Sequence, residues 1–179
     1  MARYGMLINT KECIGCYTCL VACHRQNNLA PTMNFIRFEE RETGTYPDVR
    51  IENVPLQCMH CEDAPCAAVC PTGATYIGPG GVVQVEEGRC IGCKYCMAAC
   101  PYQVRVVNES TGTVDKCRFC TVTATDGTKT CSCVEACLTG ARMFGDLDDP
   151  ASDISKAILE LNAKTIAGDL TKAKIFYVR

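Results

Sequence analysis

The stretch Cys90-Ile91-Gly92-Cys93-Lys94-Tyr95-Cys96-Met97-Ala98-Ala99-Cys100-Pro101 sets four cysteines at the spacing C-x2-C-x2-C-x3-C. Working outward, the same spacing stands at Cys13, Cys16, Cys19 and Cys23. A third group, Cys58, Cys61, Cys66 and Cys70, widens one gap to four residues; a fourth, Cys117, Cys120, Cys133 and Cys137, widens the same gap to twelve. Every group closes on C-x3-C, so the chain is a fourfold internal repeat. The spacing follows from the geometry of an iron–sulfur cube, whose four irons each take one thiolate. A C-x2-C-x2-C loop wraps one face, and the C-x3-C step carries the last thiol about one helical turn on, toward a neighbouring cube. Gly15 and Gly92 let the backbone approach the cube closely. Pro71 and Pro101 are expected to end the short ligand helices.

Composition narrows the alternatives. Seventeen of 179 residues are Cys, which leaves a disulfide scaffold, zinc modules or iron–sulfur clusters. A disulfide scheme leaves one thiol over. Cys13 also arrives before the apolar core of a signal peptide would finish, and Met1 to Asn9 reads instead as a strand. Only the fourth group resembles paired zinc CxxC units, and two histidines, His24 and His60, are few for Cys/His zinc sites. Net charge is −2 with no block of Lys or Arg, which argues against a nucleic-acid target. No apolar run approaches the roughly 18 residues of a membrane span, so a soluble chain is expected, reaching any membrane through a partner.

Four motifs form two pairs, and the preferred pairing is nested. The second and third motifs are separated by two strand-like pieces, Ala74–Ile77 and Gly81–Val85, in the order of one small ferredoxin-like unit. The first and fourth then make the outer unit. Exchange of fourth ligands gives four expected sets: Cys13, Cys16, Cys19 and Cys137 for cluster 1, and Cys23, Cys117, Cys120 and Cys133 for cluster 2. Cys58, Cys61, Cys66 and Cys100 hold cluster 3, and Cys70, Cys90, Cys93 and Cys96 hold cluster 4. Taking Cys131 in place of Cys133 would break the closing step, so Cys131 is set down as a passive thiol.

The motifs, in this order, resemble the iron–sulfur subunits of the dimethyl sulfoxide reductase and polysulfide reductase type of molybdopterin oxidoreductase. The resemblance begins at Tyr4-Gly5-Met6-Leu7-Ile8, continues through Gln57–Cys66, and runs on through Gly140-Ala141-Arg142 and Gly145–Pro150 to the tail Ser152–Arg179. The sequence departs from the family at Leu138, where proline is usual, and at the additional Cys131. It also has Cys at all four positions of the third motif, where some members carry Trp. The nested ligand scheme agrees with what the family implies.

The expected fold is α+β, with two nested pseudo-symmetric bacterial ferredoxin-like units and a C-terminal extension. Residues 1–50 plus 109–147 form the outer unit, 51–108 the inserted inner unit, and 148–179 a tail packing on a partner or on the outer unit. The tail begins as an amphipathic helix with Ile154, Ile158, Leu159 and Leu161. Four [4Fe–4S] clusters are the expected cofactors, and no catalytic acid, base or nucleophile is called for. The resemblance implies a relay of single electrons between a molybdenum or tungsten catalytic subunit carrying molybdopterin and a quinone-reactive membrane anchor in anaerobic respiration. It leaves the cytoplasm open, and the periplasm if a signal-bearing catalytic subunit co-exports the chain. The alternative is a cytoplasmic polyferredoxin serving a hydrogenase or formate dehydrogenase. Each oxidised cube with its four thiolates carries about two negative charges, so cations are expected nearby. Arg89, Lys94, Lys116, Arg118 and Arg142 stand beside the ligand cysteines, either tuning potentials or lying in solvent.

Overall fold

The computed structural model describes residues 2–120 and 130–179. It is a mixed α/β chain with one three-stranded sheet, three two-stranded hairpins and short helices. The run Met6-Leu7-Ile8 is buried on both faces, which suits a central strand. It forms β1 (Tyr4–Asn9), in a sheet ordered β8-β1-β9. Here β8 (Arg142–Asp146) runs antiparallel to β1, while β9 (Ile175–Val178) runs parallel to it. Alternation divides the side chains between two cores. Met6, Ile8, Ile175 and Tyr177 enter the main core, whereas Leu7 and Val178 join a smaller one beneath helix α5 (Asp153–Glu160).

The strand pieces expected around Ala74–Ile77 and Gly81–Val85 are the hairpin of β4 (Thr75–Ile77) and β5 (Val83–Val85). Two further hairpins join β2 (Arg37–Thr43) to β3 (Arg50–Leu56), and β6 (Val106–Val107) to β7 (Val114–Asp115). Helix α1 (Thr18–Asn27) packs on α4 (Ser132–Glu135), and α2 (Pro65–Ala68) on α3 (Tyr95–Ala98). Thus the helices of the first and fourth motifs meet, as do those of the second and third.

Two expectations need correction. The helices α2 and α3 end at Ala68 and Ala98, before Pro71 and Pro101 are reached, and α4 ends at Glu135 with Leu138 in the equivalent place. The turn is made three residues past each closing cysteine instead, where Gly73, Gln103 and Gly140 take φ of 62°, 51° and 68°. Only α1 continues past its closing Cys23, to a left-handed Asn28. In α5, Ile154 is buried and Ile158 packs on the smaller core, but Leu159 is 82% and Leu161 45% exposed. Leu159 lies about 140° round the helix from Ile154, and Leu161 is past the last turn, so neither shares the buried stripe.

Candidate metal centre

In all four motifs the residue before the second cysteine is left-handed: Gly15, His60, Gly92 and Phe119 have φ of 66°, 45°, 67° and 47°. This reverses the chain between the first two thiols. Such a turn also gathers successive backbone N–H groups into a concavity suited to negative charge. Tyr17 and Lys94 repeat the left-handed conformation between the second and third cysteines of the first and third motifs. At the second motif no residue between Cys61 and Cys66 takes a left-handed conformation. His60 and Phe119 are fully buried and stack on one another, ring centroids 3.8 Å apart, so the two motifs meet through equivalent residues.

The thiols gather across motifs. Burial, followed by the sulfurs of Cys58, Cys66 and Cys100, pushes the Cys61 thiol up to about 11, against the pull of Thr171. Burial together with Cys133 and Cys120 pushes Cys23 up to about 12. Cys117 is raised by burial and then by Cys133 and Cys23. Cys19 is also raised, first by burial; Arg142 acts downward, and Cys133, Cys13 and Cys137 act upward. Such mutual repulsion is what a bound metal relieves, because the ligand is the thiolate. At Cys70 slight burial acts upward, and the N–H of Thr75 at 3.4 Å with Thr72 outweighs it, lowering the pKa. Cys16 and Cys93 are exposed, whereas Cys58, Cys61, Cys66, Cys117 and Cys133 are buried. Among the described residues no three Cys, His, Asp or Glu side chains converge on a site for a single metal ion.

Of the five cations named from sequence, two are interior. Lys116 is 1% and Arg142 4% exposed. Arg89 pairs with Glu86 and Arg118 with Asp115 at the surface, and Lys94 is exposed. Sequence reasoning missed Arg105 and Lys174, both buried. For Arg105 a signal existed, since it stands five residues after Cys100 as Arg142 stands five after Cys137. Burial works against the charge of Arg105, and the sulfurs of Cys66, Cys58 and Cys96 more than offset it. Arg142 is likewise opposed by burial and favoured by Cys133, Cys19 and Cys117. Its Nη1 donates to Gln57 Oε1 at 2.7 Å and lies 3.9 Å from Cys133 Sγ. Cys131, set down as a passive thiol, is 1% exposed at the N-cap of α4, and its hydrogen bond to Cys133 lowers the Cys133 thiol.

The donor set fits a sulfide-rich group. Among the described residues, Arg105 Nη2 and Arg142 Nη2 are buried donors without a hydrogen-bond partner, and so are both ring nitrogens of His60, one a donor and one an acceptor in the neutral ring. A buried donor left so costs about 1–3 kcal/mol. Inorganic sulfide and thiolate beside these groups are acceptors of the required charge.

Left-handed turns within each cysteine motif, together with buried cations among the thiols, are the design of an iron–sulfur protein. Residues 49–147 match a 4Fe-4S dicluster domain, and residues 12–74 match a second model of the same description. The chain is 44% identical over 160 residues to Protein NrfC of Escherichia coli (strain K12), covering 87% of this chain and 71% of that one. It is 44% identical over 149 residues to the thiosulfate reductase electron transfer subunit PhsB of Salmonella typhi, covering 82% and 78%. With the B subunit of polysulfide reductase from Wolinella succinogenes the identity is 39% over 181 residues, covering 98% and 94%. The chain belongs to the 4Fe-4S dicluster family of iron–sulfur electron-transfer subunits.

Proposed function

We propose that this chain carries four [4Fe–4S] clusters and relays single electrons between a molybdopterin-containing catalytic subunit and a quinone-reactive membrane subunit. The clusters supply one-electron redox chemistry when bound, and the chain supplies everything else. Cluster 1 is held by Cys13, Cys16, Cys19 and Cys137, and cluster 2 by Cys23, Cys117, Cys120 and Cys133. Cluster 3 is held by Cys58, Cys61, Cys66 and Cys100, and cluster 4 by Cys70, Cys90, Cys93 and Cys96. The observation that carries this reading is the company of Cys61, whose sulfur neighbours are Cys58, Cys66 and, from the next motif, Cys100. Cys137 beside Cys19 supports the same exchange in the other pair. The packing of α1 on α4 and of α2 on α3 supports two nested ferredoxin-like units, with 51–108 inserted between 1–50 and 109–147, and 148–179 as an extension.

Buried thiols exclude water from clusters 2 and 3, while exposed Cys16 and Cys93 leave clusters 1 and 4 as the ends through which partners exchange electrons. Relatives are described as subunits of thiosulfate, polysulfide and dimethyl sulfoxide reductases, which supports a catalytic partner of that kind. Among the described residues no helix is long and apolar enough to cross a membrane. Anaerobic purification of the native complex tests the reading. A co-purifying subunit that contains pterin and molybdenum or tungsten, reducible through this chain by a quinol, is the expected result. A chain that isolates alone and passes electrons to no such partner would overturn it.

A further inference from the structure

We infer that Arg105, Lys116 and Arg142 occupy the three joints between successive clusters and set the cluster potentials in adjacent pairs. This rests on the ligand sets proposed above. Each side chain is at most 5% exposed, and among the described residues none of the three is ion-paired to a carboxylate. Each faces sulfurs of two sets.

Arg105 has Cys66 and Cys58 of cluster 3 and Cys96 of cluster 4 near enough to favour its charge. Its Nη1 also donates to Thr75 Oγ1 at 3.3 Å, and the Thr75 N–H donates to Cys70 of cluster 4 at 3.4 Å. Lys116 has Cys58 of cluster 3 and Cys117 of cluster 2 as its sulfur neighbours. Its Nζ is fixed by the carbonyl of Cys117 at 2.9 Å and by that of Val83. Arg142 approaches Cys133 of cluster 2 to 3.9 Å and has Cys19 of cluster 1 nearby. The joints therefore run 4–3, 3–2 and 2–1, with one buried cation in each. The repeat itself generates two of them, since Arg105 and Arg142 each follow the closing cysteine of a motif by five residues.

Reduction adds one negative charge to a cluster, and a cation in a low-dielectric joint stabilises that state on both sides. The same charge offsets repulsion between neighbouring reduced clusters. Lys174 provides an internal comparison: it is buried, but its sulfur neighbours, Cys58 and Cys61, belong to cluster 3 alone.

The test is a potentiometric titration, followed by electron paramagnetic resonance, of the anaerobically purified complex carrying Arg142→Gln. Clusters are assigned with single Cys→Ser ligand variants. Clusters 1 and 2 are expected to become harder to reduce by about tenfold each, ~59 mV for one electron, while clusters 3 and 4 keep their midpoints. Lys174→Met is expected to move cluster 3 only. Unchanged midpoints, an equal shift of all four clusters, or a shift of one flanking cluster alone would overturn the inference. Iron in the unmutated protein separates this from the ligand reading: too little iron sinks the ligand sets, whereas full iron with unmoved midpoints sinks only the role of the cations. If Arg142→Gln loads poorly, Arg105→Gln decides at another joint, with lowered midpoints of clusters 3 and 4 alone supporting the inference and unmoved ones opposing it.

Discussion

At Gly92 the backbone φ is +67°, and a Cβ would meet the carbonyl oxygen of Gly112 at 2.6 Å. Any other L-residue meets both the left-handed penalty of about 1–2 kcal/mol and that clash. Gly92→Ala is therefore expected to lower the melting temperature and reduce iron content, read by thermal scans and iron analysis under anaerobic conditions. Full iron at an unchanged melting temperature would contradict this. Cys131 and Cys133 stand two residues apart yet take different parts in the account. Cys131→Ser is expected to keep full iron content, while Cys133→Ser loses the ligation of one cluster; the reverse pattern would exchange their assignments. The cysteine spacings disclosed this chemistry without coordinates, because ligand geometry is local in sequence. The cations were not legible in the same way. Arg118 and Lys116 flank the same cysteine, yet one pairs with Asp115 at the surface and the other lies beneath β5. Burial of that kind is decided by what packs on top.

Among the elements, β9 ties the C-terminal tail to the central strand β1. Ile175 is fully buried opposite Met6 in the parallel pairing with β1, and Tyr177 donates to the carbonyl of Pro55 at 3.0 Å. Truncating Ile175 to Ala is expected to cost about 2–5 kcal/mol, seen as a lower melting temperature of the loaded protein. Leu159→Ala, at a position 82% exposed, is expected to stay within about 0.5 kcal/mol. Equal effects would contradict the placement of the tail. The strand pieces β1, β4 and β5 were readable from the sequence as short strand-like runs. The helix of the tail was readable too, but two of its four named leucine and isoleucine positions were assigned to the wrong face. An eight-residue helix presents only one narrow stripe, and Leu159 falls off it. The ends of the ligand helices were misread because proline marks the stop without making it. The turns at Gly73, Gln103 and Gly140 are backbone events, and one of them uses no glycine.

Across the whole molecule, Cys16 and Cys93 are the exposed thiols among the described residues, although Cys19 and Cys96 of the same motifs are buried. The pairing of β8 with β1 brings Arg142 over the core from more than a hundred residues away, and no local pattern announces such a contact. A fold with little apolar core relative to its cysteine content depends on its clusters for stability. The most direct measurement is therefore iron and acid-labile sulfide per chain in anaerobically isolated complex, corrected for the metals of its partners. Four cubes predict about sixteen of each. Zinc in place of iron, or iron for only two cubes, would contradict the account.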